Sequence, residues 1–97
     1  MLLKPGVDIS RLNRQIRRTL NSLDRIFKNY GEHLVITSTY EGSHSPSSLH
    51  YANNAIDLRL PTTAKLDIYQ DIKDNIGDDY DVILEIDHIH IEYDPKQ

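Results

Sequence analysis

The sequence predicts an α+β domain in which an N-terminal helix packs on a small, mainly antiparallel four-stranded sheet, with a second helix between strands 2 and 3. Three observations lead there. Apolar residues recur at helical spacing between residues 8 and 31 and again between 62 and 76. Four short runs rich in β-branched residues, 33–38, 55–60, 80–84 and 88–93, read as strands. The chain has 97 residues, which is one domain (1–97) near the size where a core buries about two thirds of what the unfolded chain exposes.

The first helix is capped by Asp8 or Ser10 and stopped by Gly31. At about 100° per residue, Leu12, Ile16, Leu20, Leu23, Phe27 and Tyr30 fall in one arc, the buried face. Arg11, Arg14, Arg18 and Arg25 cluster on nearly the opposite side. After Gly31, the run from His33 to Ser38 has the content of a buried strand. A polar stretch rich in Ser, Gly and Pro follows from Thr39 to Ser48 and reads as a loop. In the second strand Ala55, Asp57 and Arg59 share one face, and Ile56, Leu58 and Leu60 share the other. Pro61 ends it, and Thr62 or Thr63 caps a helix running to Ile76 with Leu66, Tyr69, Ile72 and Ile76 inward and Gly77 as its stop. The third strand is Tyr80–Leu84 and the fourth His88–Tyr93; Ile86 and Asp87 between them either turn or continue.

Composition narrows the chemistry. The chain has no cysteine, five histidines and fifteen acids, so there is neither a disulfide framework nor a thiolate metal site, and any zinc must use His, Asp or Glu. Residues 1–31 hold seven Lys/Arg against two acids, within a net charge of −4. The arginine stripe reads first as a solvated face. As a docking surface it would suit something anionic, such as a wall polymer, a virion or an acidic protein partner, and the lack of aromatic interleaving disfavours nucleic acid. No apolar run approaches a membrane span, and the start lacks an apolar core long enough for a signal peptide, so a soluble chain with no membrane partner is expected.

The segment from Ser48 to Asp57, answered downstream by His88-Ile89-His90, reads as a split zinc site: two imidazoles and one carboxylate on separate pieces of sheet, with a fourth position left for water. His88, His90 and Glu92 project to one strand face, and Ile89, Ile91 and Tyr93 to the other. A His-x-His pair alone reads equally as a chelate or as a polar solvent face. Asp57 is disfavoured inside a strand and needs a compensating partner, which Arg59, the backbone or a metal could supply.

Ser48-x-His50-x-x-Asn53-x-Ala55-x-Asp57 resembles the Ser-x-His-x-x-Gly-x-Ala-x-Asp motif of the zinc D-alanyl-D-alanine peptidases (the M15 peptidases), and Asp87-His88-Ile89-His90 resembles their second motif. Ser48-Leu49-His50-Tyr51 and the upstream His44 are also similar to the hedgehog signalling domain, which shares the fold and the zinc ligands. The resemblance runs from His33 to Tyr93. It implies a Zn2+ ion on His50, Asp57 and His90, Glu85 as general base, His88 beside the metal as oxyanion donor or as a partner orienting Glu85, and His44 on the loop over the site. Ile36-Thr37-Ser38-Thr39-Tyr40-Glu41 resembles a stretch in which the peptidases carry a substrate-binding arginine where this chain has Glu41. An acid cannot clamp a terminal carboxylate. The implied activity is hydrolysis of peptidoglycan peptides, of endopeptidase or D-Ala-D-Ala type, by a phage lysin or virion component. The implied alternative is a hedgehog-like binding module in which zinc only stabilises the fold.

Overall fold

The structure, a computed structural model, describes residues 1–39 and 54–95. Its order is β1 (Leu2–Leu3), α1 (Arg14–Arg17), α2 (Leu20–Asn29), β2 (Val35–Ser38), β3 (Ala55–Arg59), α3 (Lys65–Ile76), β4 (Tyr80–Leu84) and β5 (His88–Tyr93). The expected α+β class holds, but among the described residues the sheet has five strands in the order β1-β2-β3-β5-β4. The additional strand, β1, runs parallel to β2, with Leu2 opposite Val35, so the sheet is mixed rather than four-stranded. Two apolar residues carry no periodicity, which is why sequence pattern does not reveal β1. The remaining neighbours are antiparallel.

The expected single N-terminal helix is two helices. Residues before Arg14 form turns instead, with the Ser10 amide donating to Asp8 Oδ1 at 2.8 Å and the Arg17 guanidinium donating to the carbonyls of Ile9 and Ser10 at 3.1 and 2.8 Å. At the break, the buried Thr19 donates through both its hydroxyl and its amide to the Ile16 carbonyl, at 2.7 and 3.0 Å. Such local side-chain bonding competes with the helical ladder. The apolar face nevertheless survives the break. Leu12, Ile16, Leu20, Leu23 and Phe27 are all buried, joined by Ile26, while Tyr30 packs at the rim with its hydroxyl on Asp71 at 2.6 Å. The four stripe arginines are all exposed.

Thr62 and Thr63 do not cap α3. Both donate through amide and hydroxyl to the Glu32 carboxylate, at 2.7 to 3.1 Å, and these bonds hold that carboxyl down to about 2. The helix begins later, after Ala64 in the left-handed region at φ 52°. Its buried residues are Ile68 and Ile72, whereas Leu66 is 69% exposed. With Tyr69 and Ile76 at the rim, the inward arc spans about 100° and Leu66 lies about 60° outside it. Gly77 ends the helix at φ 88°, where a side chain would be strained.

One apolar core joins the helices to the sheet: Leu34, Ile36, Ile56, Leu58, Ile89 and Ile91 face the helical residues and are fully buried. The alternation that sends these inward sends Val35, Asp57, Arg59, His88, His90 and Glu92 to the opposite face. Among the described residues no helix is long and apolar enough to cross a membrane.

Candidate metal centre

Register fixes which side chains meet on that opposite face. Asp57 pairs with His90, Arg59 with His88, and Ala55 with Glu92 across β3 and β5. On the far side of β5, Ile83 pairs with His90 and Asp81 with Glu92. Ile86 and Asp87 form a two-residue turn, closed by the Glu85 amide donating to the His88 carbonyl at 2.9 Å. Glu85 therefore lies opposite His88 on the same face. On the β2 side, Ser38 pairs with Asp57 after a register irregularity.

Three donors converge there. Asp57, His88 and His90 each offer a ligand atom within 4.8 Å of the others. His90 Nδ1 lies 2.8 Å from Asp57 Oδ1, and His88 Nε2 lies 3.7 Å from the same oxygen. The outward nitrogen of each ring meets a second carboxylate: His90 Nε2 is 2.6 Å from Glu92 Oε1 and His88 Nδ1 is 2.6 Å from Asp87 Oδ1. An ionised carboxylate only accepts, so the outward nitrogens carry protons and the inward ones are directed at Asp57. A ligand imidazole held from behind by a carboxylate is a common arrangement around protein-bound metals. These residues therefore suit a metal ion. The side chains of Asp57 and His90 are only 20% and 15% exposed.

Metal-free, His90 lies between two carboxylates. The Asp57 hydrogen bond, helped by Glu92 and opposed by burial, raises its pKa above the usual imidazole value. That favours the imidazolium, whose Nδ1 proton a metal must displace. A second acidic group, Asp81, Glu92 and Asp94, lies beside the centre and shares Glu92 with it.

Of the residues singled out in the sequence, Asp57, His88 and His90 come together and Glu85 shares their face. His50, His44 and Glu41 lie outside the described residues. Asp57 directs Oδ1 at the imidazoles, and Arg59 forms no ion pair with it. The carboxylates behind the rings, Asp87 and Glu92, carry no motif of their own in the sequence. The Glu92 signal was present in its alternation with His88 and His90, but the pairing needs side-chain geometry. Comparison of the chain with protein-family models, with curated proteins and with solved structures found no match.

Proposed function

We propose that this chain is a zinc-dependent, peptidase-like domain acting on peptide bonds of bacterial peptidoglycan, as a phage lysin or virion component. Asp57 and His90 hold the ion together with His50. The carrying observation is the convergence of Asp57 Oδ1, His90 Nδ1 and His88 Nε2, with a carboxylate behind each imidazole. Two nitrogens and one carboxylate suit zinc, whereas calcium and magnesium favour oxygen shells. When bound, zinc supplies Lewis acidity that lowers the pKa of a water and polarises a carbonyl. Glu85, exposed and opposite His88, is the group to take a proton from the attacking water and return it to the leaving amine. Asp87 holds a proton on His88 Nδ1, so His88 donates to an oxyanion only when its Nε2 is protonated as well.

One distance favours a second reading, the non-catalytic module resembling hedgehog domains. His88 Nε2 lies 3.7 Å from Asp57 Oδ1, close enough for His88 to act as a ligand. With His50, Asp57, His88 and His90 all bound, the tetrahedral shell is closed, as in structural zinc sites. Digestion of cross-linked muropeptides separates the readings. The enzyme reading requires release of peptide fragments by wild type and their loss in Glu85→Gln at unchanged zinc content. Full zinc occupancy without cleavage, with zinc lost in His88→Ala, establishes the closed structural site instead.

A further inference from the structure

The row of residues through His88 continues across the sheet. Glu85 lies opposite His88, and His88 opposite Arg59. One residue beyond the Ile36–Leu58 pair, Val35 comes alongside Arg59, and Leu2 is paired with Val35. This row therefore passes from the metal centre directly to an apolar edge. At the Arg59–Val35–Leu2 end of the row lies a cleft of about 290 Å³, walled by these residues and Leu60, with Glu32, His33 and Thr62 beyond.

Arg59 brings a guanidinium to this face. It is exposed and carries no ion pair or side-chain hydrogen bond among the described residues. The nearby acids are engaged elsewhere: Asp57 with His90 at 2.8 Å, and Glu32 with Thr62 and Thr63 through four hydrogen bonds. Residues i and i+2 of a strand are about 7 Å apart, so Arg59 stands about two extended peptide residues from Asp57. Its planar fork matches a carboxylate bidentately.

We propose that Arg59 is the specificity-determining anchor of this site, receiving the carboxylate of a ligand whose neighbouring apolar side chain lies in the cleft between Leu2, Val35 and Leu60. The inference rests on the metal-centred reading above. It assigns the ligand class as peptides or acylated amino acids with a free carboxylate beside an apolar side chain.

The test is an NMR titration of the zinc-loaded full chain with N-acetyl-leucine, N-acetyl-leucinamide and N-acetylglycine. Wild type should bind the leucine acid about tenfold more tightly than its amide, which is about 1.4 kcal/mol, and more tightly than the glycine acid. In Arg59→Ala the acid and amide should bind alike, and Arg59→Lys should keep part of the difference, since an ammonium supplies charge without the fork. Equal binding of acid and amide by wild type, no binding of either, or a difference that persists in Arg59→Ala overturns the proposal; in the last case the carboxylate is held by the metal. Zinc content is measured on the same samples. A wild type that takes up no zinc refutes the metal reading, and the acid–amide difference measured on that metal-free protein still decides the role of Arg59.

Discussion

Replacing Glu92 by Gln probes the metal centre without touching a ligand. Glu92 Oε1 lies 2.6 Å from His90 Nε2, and its side chain is 23% exposed. Glutamine has nearly the same shape and can still accept the proton, so what is lost is the charge that keeps His90 strongly donating toward a metal. Removing such a partner costs about 10- to 100-fold in metal affinity. Partial exposure admits solvent screening and puts this site at the lower end, about tenfold or about 1.4 kcal/mol. The assay is competition for zinc against a chromophoric chelator at pH 7.5, with circular dichroism to establish that the variant is folded. Asp87→Asn should cost less, because the Asp87 side chain is 79% exposed. Asp74→Asn, on the outer side of α3 where Asp74 accepts from Gln70 at 3.0 Å, should change nothing. Unchanged affinity in Glu92→Gln, or an equal loss in Asp74→Asn, refutes the assignment of Glu92 as the support of a ligand imidazole.

The raised pKa of His90 means that its proton competes with the metal up to a higher pH than for an ordinary histidine. Apparent zinc affinity should start to fall, as pH is lowered, at a value above 6.5, and a midpoint below 6.5 in a pH series of chelator competitions contradicts this geometry. Glu32 has a folded-state pKa of about 2, below its unfolded value near 4.3. Its stabilisation is complete above the unfolded value and is lost as pH falls through the folded one, so wild type should lose more thermal stability than Glu32→Gln between about pH 5 and pH 2. Parallel melting curves across that window count against the Glu32 clamp. Ile91 is fully buried beneath the site, and Ile91→Ala should cost about 2–5 kcal/mol, with saturating zinc at about 100 times its Kd restoring about 2.7 kcal/mol in a thermal melt. A melt of Ile91→Ala that zinc leaves unshifted contradicts selective binding to the folded state.

What was legible in the sequence was mainly what has a period. Alternation placed Asp57, Arg59, His88, His90 and Glu92 on one face and Ile56, Leu58, Ile89 and Ile91 on the other, because successive strand side chains must point opposite ways. Helical spacing found the buried residues from Leu12 to Phe27 even though the helix breaks at Arg18 and Thr19. The break was not legible, since it depends on where the buried Thr19 hydroxyl finds its acceptor. Leu66 was placed inward by apolar character alone, although the α3 face is centred on Ile68 and Ile72. Thr62 and Thr63 had the residue types of caps, but Glu32, distant in sequence, takes their donors. At the metal centre the donor residues were legible as residue types, and the carboxylates behind them were not, because a hydrogen bond from a ring nitrogen to Glu92 depends on rotamers rather than on spacing.

The central claim, that Asp57 and His90, with His88 beside them, form part of a zinc centre, is tested most directly by elemental analysis of protein purified without chelators or added metal. The account predicts one zinc per chain in wild type, a large loss in Asp57→Asn, and a melting temperature that falls when a chelator removes the metal. Wild-type protein that is folded, contains no zinc and binds none on titration contradicts it.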